Sequence, residues 1–115
     1  MKQVVKGLGV SQGKVQGKVK IVNSFKEYAS FQEGEILVTK ITDPTMVPMM
    51  NKAGGIICDI GGLTSHPSIV SRELGIPCIV SAKDKKGTPA TIVLKDGMEV
   101  EMNGMSGEIF LLKTK

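Results

Sequence analysis

A single histidine, His66, stands in the chain, and its neighbours define the chemistry open to it. It lies in Asp59-Ile-Gly-Gly-Leu-Thr-Ser-His-Pro-Ser-Ile-Val-Ser-Arg-Glu-Leu-Gly-Ile-Pro-Cys-Ile-Val80. Phosphoryl capture by an imidazole needs an exposed, neutral ring whose second nitrogen is held by a partner. The arriving phosphoryl spreads its charge over three oxygens, which backbone N–H groups or cations must meet. A helix N-terminus supplies unpaired N–H groups and a partial positive end that disfavours imidazolium, and glycines let the backbone approach closely. Gly61 and Gly62, with the helix that opens at Pro67, would provide this around His66. Thr64, Ser65 and Ser68 are candidates to cap the helix or to donate to phosphate oxygens. His66 is thus the candidate catalytic nucleophile, with Gly61, Gly62, Thr64, Ser65 and Ser68 as candidate phosphate contacts.

Other chemistries fit these residues less well. A histidine beside a helix start also serves as a cap or a surface residue. Gly61-Gly62 lacks the Gly-Lys-Ser/Thr of a P-loop and the wider spacing of a dinucleotide fingerprint. One histidine with no neighbouring acid cluster argues against zinc, and no metal is expected here. A serine triad with Ser65 and His66 adjacent is geometrically implausible, and a nucleophile elbow is missing.

The elements that must hold this turn flank it. Gly55 to Asp59 is an apolar run of strand length. Pro67 to Leu74 carries Ile69, Val70 and Leu74, with Gly75 where a helix C-terminal glycine belongs, and Ile76 to Val80 returns as a strand. Strand, glycine turn, short helix and strand make a βαβ-like unit. Upstream, Val4-Val5 starts a short strand closed by Gly7 and Gly9. Gly13 to Val22 alternates, with Val15, Val19 and Ile21 on one face, as an antiparallel strand in which Gly17 marks a bulge or a close backbone crossing. Ser24 to Phe31 reads as a short helix or turn, and Glu35 to Thr39 as a buried strand. Asp43 before Pro44 is an N-cap followed by a first-position proline, and Pro48 keeps the segment to Asn51 short or bent. Ile92-Val93-Leu94 is a brief apolar turn. Met98–Met102 and Gly107–Leu112 form an antiparallel hairpin whose loop of about four residues surrounds Asn103-Gly104.

Composition sets outer bounds. The 115 residues make one domain, 1–115, since this length buries a single core. With 41% hydrophobic, 23% charged and only 3% aromatic residues, the chain reads as soluble and globular, its core built from Val, Ile, Leu and Met. Core packing is also the expected role of the methionines between Pro44 and Met50. No apolar run reaches the ~20 residues of a membrane span, and the start is too short in apolar core for a signal peptide. Cys58 and Cys78 match no metal or redox spacing and are expected as buried free thiols, which suits a reducing cytoplasm. The net charge of +4 comes from scattered lysines apart from Lys83-Asp84-Lys85-Lys86. Without stacking aromatics this argues against nucleic acid and fits phosphorylated ligands or an acidic partner.

Gly61-Gly62-Leu63-Thr64-Ser65-His66, then Ile69-Val70 and Arg72-Glu73-Leu74-Gly75-Ile76-Pro77, resembles the active-site signature of the mobile, or swivelling, phosphohistidine domain of phosphoenolpyruvate-utilising enzymes. That family includes phosphoenolpyruvate synthase, pyruvate phosphate dikinase and enzyme I of the sugar phosphotransferase system. The likeness extends through Gly7–Val19, Gly34–Val38, Thr42-Asp43-Pro44, Val47-Pro48, Ala90-Thr91, Asp96-Gly97 and Asn103-Gly104 with Gly107. The resemblance implies an α/β swivelling β/β/α domain with mixed sheets and short helices, and phosphorylation at His66. It implies a carrier that takes phosphoryl from a nucleotide- or phosphoenolpyruvate-binding partner and passes it on. The domain itself would bind no cofactor, with magnesium and the nucleotide or phosphoenolpyruvate held by that partner. Thr64 matches a threonine that a regulatory protein phosphorylates in the dikinases and synthases.

Three residues depart from the family pattern. Pro67 replaces the usual alanine and removes one backbone N–H beside the nucleophile. Ser71 stands where a small apolar residue is usual, and Ser81 where glycine is common. Arg72 is assigned mainly to structure, as a salt bridge or helix-end contact, with phosphate contact as the lesser alternative. The expected function is a stand-alone phosphohistidine carrier, acting in trans or as a subunit of a split synthase or dikinase. A regulatory or interaction module that keeps the fold without phosphotransfer is the alternative.

Overall fold

The computed structural model describes residues 1–113. Its strands are β1 (Lys2–Ser11), β2 (Lys14–Ile21), β3 (Ile36–Thr39), β4 (Gly55–Cys58), β5 (Cys78–Lys83), β6 (Glu99–Asn103) and β7 (Glu108–Lys113). Three short helices join them: α1 (Val47–Met50), α2 (His66–Leu74) and α3 (Ala90–Val93). All seven strands close into one barrel in the order β1-β5-β4-β3-β2-β6-β7. Strand directions are mixed: β2, β3, β4 and β5 run parallel to one another, and the remaining pairings are antiparallel. The expected mixed α/β character and short helices are present, but in one closed sheet rather than separate ones.

Alternation along the parallel strands explains the layering. Ile36, Val38, Ile57 and Ile79 point into one cluster with Val5, Val19, Val100, Met102 and Ile109 from the other strands, which places that cluster inside the barrel. Leu37, Ile56, Cys58, Cys78 and Val80 point the other way, under Met46, Met49, Met50, Val70 and Leu74. β3 and β4 are therefore buried on both faces, which is why they read as unbroken apolar runs. The methionines near Pro44 pack the outer core as expected, and both cysteines are buried and free. Burial disfavours the thiolate, pushing Cys78 up to about 11 and Cys58 well above its ordinary value.

Several elements match their sequence signals. Asp43 caps the 3-10 turn Pro44–Met46 by accepting the Thr45 N–H at 2.8 Å. β4, α2 and β5 form the expected parallel βαβ unit, and α2 ends on Gly75 at φ 71°. β6 and β7 pair as the expected hairpin. Two expectations need correction, and at Gly17 one of two expected alternatives holds. β1 does not stop at Gly7 but runs through both glycines to Ser11, because side chains there would strike the backbones of Val80 and Gly104. Gly17 makes no bulge, its register with β6 being unbroken; it is instead a close crossing, where an added Cβ would sit 3.0 Å from the Gly34 carbonyl. Ile92–Leu94 belongs to α3 and its C-cap rather than to a simple turn.

One polar group ties the barrel wall together. Glu101, 8% exposed, accepts from Gln16 Nε2 at 2.9 Å and faces Lys14 Nζ at 3.4 Å. The Gln16 hydrogen bond, then Lys14, hold its carboxyl below the ordinary glutamate range. Because the folded pKa is the lower one, this stabilisation is complete above the unfolded-chain value and is lost as pH falls through the folded value. Glu101→Gln should therefore melt lower than the parent at neutral pH and flatten the acid limb of a Tm-versus-pH curve, the two proteins converging at low pH. An unchanged acid limb would show that Glu101 has no part in it.

Candidate functional site

The parallel pairing of β3 with β4 continues past the strand ends: the Asp59 N–H bonds to the Thr39 carbonyl at 3.1 Å, and Ile60 N–H to Lys40 at 3.2 Å. The loops leaving these two strands thus lie side by side at their carboxyl ends, where open parallel sheets commonly place their sites. Thr42 comes from the first loop and His66 from the second. Thr42 Oγ1 lies 2.7 Å from His66 Nδ1. Thr42 is 4% exposed, whereas His66 is half-buried. In the tautomer with the proton on Nδ1, that N–H donates to Thr42 and Nε2 keeps its lone pair for attack.

The turn around His66 is held by its own hydroxyls. Gly61 sits at φ 135°, and a Cβ there would meet Ser65 Oγ at 2.9 Å and Val80 Cβ at 3.1 Å. Ser65 is the N-cap residue of α2, yet its hydroxyl makes no capping bond to the helix. It donates instead to the Gly62 carbonyl at 2.9 Å and accepts the Gly62 N–H at 3.2 Å. Ser68, fully buried, donates to the same carbonyl at 2.6 Å. Both hydroxyls therefore brace the Gly62–Thr64 turn, and the N-cap hydroxyl leaves the first helical N–H groups to another acceptor. Thr64 is exposed beside them.

α2 begins one residue earlier than Pro67 predicts: His66 is its first residue and Pro67 its second. Proline is tolerated there because that N–H has no intrahelical partner in any case. Its place in the first turn nevertheless leaves one fewer donor beside His66. Ser71 is buried and satisfies its hydroxyl on the Ser68 carbonyl at 3.2 Å, so the polar replacement leaves no orphan. Arg72 Nε donates to the Val10 carbonyl at 2.7 Å, tying α2 to β1 in a structural role, with no salt bridge to a carboxylate among the described residues.

Sequence reading missed two supports. Thr42 was legible only as part of Thr42-Asp43-Pro44, because its contact spans 24 positions. Asp59 accepts the Thr91 N–H at 2.9 Å and the Thr91 hydroxyl at 2.6 Å, anchoring the start of the glycine turn to α3. Beside the site, the Asp43 carboxyl is held below its ordinary range by the Thr45 hydroxyl and N–H, with a smaller contribution from His66. Among the described residues, no group of three or more His, Cys, Asp or Glu is placed to hold a metal ion. No described helix is long and apolar enough to cross a membrane.

Ser81 explains its own departure. It is the only non-glycine at positive φ among the described residues, at 53°, a conformation that favours glycine. Its hydroxyl donates to the Gly61 carbonyl at 2.7 Å, compensating part of that strain with a brace on the histidine turn. Glycine relieves about 1–3 kcal/mol of left-handed strain, whereas alanine keeps the strain and loses the bond. Ser81→Gly should therefore melt higher than Ser81→Ala; the reverse order in thermal unfolding would refute this role.

This geometry has known relatives. A family model described as "PEP-utilising enzyme, mobile domain" matches residues 31–107, a span that includes Thr42, the glycine turn, His66 and Ser81. The chain belongs to the mobile-domain family of phosphoenolpyruvate-utilising enzymes. It is 50% identical over 109 residues to a probable phosphoenolpyruvate synthase of Archaeoglobus fulgidus, covering 95% of this chain and 14% of that protein. With the phosphoenolpyruvate synthase of Pyrococcus furiosus it shares 47% identity over 107 residues, 93% of this chain and 12% of the relative. The chain thus spans only a small part of the length of these relatives. Among solved structures, Enzyme I matches with a TM-score of 0.55 and 27% identity, over 72% of this chain and 32% of that one. Aconitase X of Thermococcus kodakaraensis matches with a TM-score of 0.68 over 95% of this chain and 98% of that one. At 20% identity that likeness speaks for a shared fold alone.

Proposed function

We propose that this mobile domain is a phosphohistidine carrier, with His66 Nε2 accepting a phosphoryl group and passing it on. The observation that supports this best is the 2.7 Å contact between Thr42 Oγ1 and His66 Nδ1, which fixes the ring so that the other nitrogen is available. Attack of Nε2 on the donor's phosphorus forms the N–P bond as the donor oxygen leaves with the electron pair. Transfer onward reverses those roles at the acceptor. Backbone N–H groups of Gly61 and the first turn of α2 are proposed to meet the phosphoryl oxygens, and the Gly62 N–H, held by Ser65, would join them only by exchanging that hydrogen bond. Ser65 and Ser68 would contribute mainly by holding that turn, and Thr64, exposed beside it, is a site where a regulatory phosphate would block approach.

The donor is phosphoenolpyruvate or a nucleotide, bound with its magnesium by another protein surface, and a second such surface receives the phosphoryl group. The domain swivels between these surfaces in trans or as a subunit of a split synthase- or dikinase-like assembly in the cytoplasm. To test this, the full chain is mixed with labelled phosphoenolpyruvate and a phosphoenolpyruvate synthase whose own carrier histidine has been replaced. Acid-labile label should appear on this chain. Its absence with every synthase or dikinase partner tried would overturn the carrier reading. That outcome would favour a non-catalytic regulatory or interaction module, which the N–H missing at Pro67 supports.

A further inference from the structure

A second feature lies on the β1–β5 face and is independent of His66. Lys6 and Lys83 are direct cross-strand partners in the antiparallel β1–β5 pair. Like charges facing one another across strands are destabilising, so the pairing has a cost unless something offsets it. Glu108 faces Lys6 from the opposite side, on β7, but among the described residues the only ion pair within 4.0 Å is Lys14–Glu101. Lys6, Lys83 and Lys85 line one open cavity of about 510 Å³ together with Ser81 and Asp84. Asp84 is the one carboxylate in that wall, and its Oδ1 is occupied by the Lys86 and Thr88 N–H groups, both at 2.9 Å. It shapes the turn that presents Lys85 and keeps its own charge, so three lysines against one carboxylate leave the wall with two net positive charges. The volume suits a small molecule, and three cations around it suit an anion of more than one charge.

We propose that this cavity is a binding site for a small polyanion carrying phosphate or carboxylate groups, recognised by Lys6, Lys83 and Lys85. Its wall includes Ser81, whose hydroxyl braces Gly61; occupancy therefore reaches the backbone beside the carrier turn without involving His66 itself. The site separates ligand classes by charge and geometry, and pyrophosphate and citrate serve as probes of the phosphate and carboxylate sources.

The full chain is titrated with each probe against sodium chloride of equal ionic strength, following backbone amides by NMR and Tm by calorimetry. Saturable shifts are expected at Lys6, Ser81, Lys83 and Lys85, and Tm should rise with the probe. Lys83→Gln removes one facing charge and keeps a polar side chain one atom shorter. It should melt no lower than the parent without probe, and should weaken probe binding at least about tenfold. Lys85→Gln, outside the facing pair, supplies a second variant with the same expected weakening. Pyrophosphate can also meet the His66 turn, and shifts there should survive both substitutions. Equal Tm gains in parent and both lysine variants, or shifts at the four residues that only track ionic strength, would overturn the proposal.

Discussion

Replacing His66 with asparagine should remove phosphoryl acceptance down to background while the barrel stays folded. His66 is half-buried at the first position of α2, and among the described residues its side chain has one hydrogen bond, to Thr42. Losing that bond costs about 0.5–1.5 kcal/mol, far below what would unfold a domain with about 5–15 kcal/mol of stability. Asparagine has no ring nitrogen to form the N–P bond, so nothing in the turn replaces the lost nucleophile. Thr42 provides the graded companion. Thr42→Val keeps the volume and removes the oxygen that holds Nδ1, so the ring is free to rotate or to put its proton on Nε2. By analogy with groups that orient histidine ligands, acceptance should slow about 10- to 100-fold. Thr42→Ser, which restores an oxygen, should recover most of the rate. A purely structural role for Thr42 would predict parallel losses of Tm and rate in both variants. Rapid-quench measurement of label transfer, beside melting curves, separates these outcomes.

The largest effect on stability is expected at Gly104. It follows the last residue of β6, and its N–H bonds to the Gly13 carbonyl at 2.7 Å. A Cβ there would overlap the Ser11 carbonyl oxygen and lie 3.1 Å from the Cys78 backbone nitrogen. The obstructing atoms are main chain from the end of β1 and the start of β5, and neither strand moves without breaking the pairing that closes the barrel. Gly104→Ala should therefore cost more than about 4 kcal/mol, in the range reserved for such clashes. For a domain of this size that corresponds to a fall of roughly 15–20 °C in Tm. Gly62→Ala is the contrast: an added Cβ meets nothing within 4 Å, and its melting temperature should stay within a few degrees of the parent's, an effect of about 0.5 kcal/mol. Calorimetry showing similar losses for the two would contradict this reading of the glycines.

Local signals in the chain led directly to local structure. Asp43-Pro44 became a capped turn, Gly75 a left-handed helix end, and Asn103-Gly104 a four-residue connection between β6 and β7. Each depends on residues a few positions apart, where backbone preference acts without help from the rest of the fold. The glycines of β1 were misleading for the opposite reason. Gly7 and Gly9 look like breaks because glycine often ends strands, but here they make room for backbones that arrive from β5 and from the Gly104 loop. Barrel closure likewise rests on β1 meeting both β5 and β7, pairings that no local pattern encodes. At the site, the glycine–histidine turn was legible in order and spacing. Thr42, Asp59 and the Ser81 brace were not, since each acts across a gap of 20 or more positions. Ser65 and Ser68 show a further limit: their residue types suit phosphate, while their geometry commits both hydroxyls to the Gly62 carbonyl.

The most direct test of the carrier reading is to find which atom bears the phosphate. The full chain, phosphorylated by a partner and kept at alkaline pH, is examined by phosphorus NMR, with phosphopeptide mass spectrometry to assign the residue. The expected result is one phosphohistidine signal, from His66 substituted on Nε2, that disappears in His66→Asn. Phosphate on Nδ1 of His66, or on Thr64 or Ser65 with the ring unmodified, would contradict it.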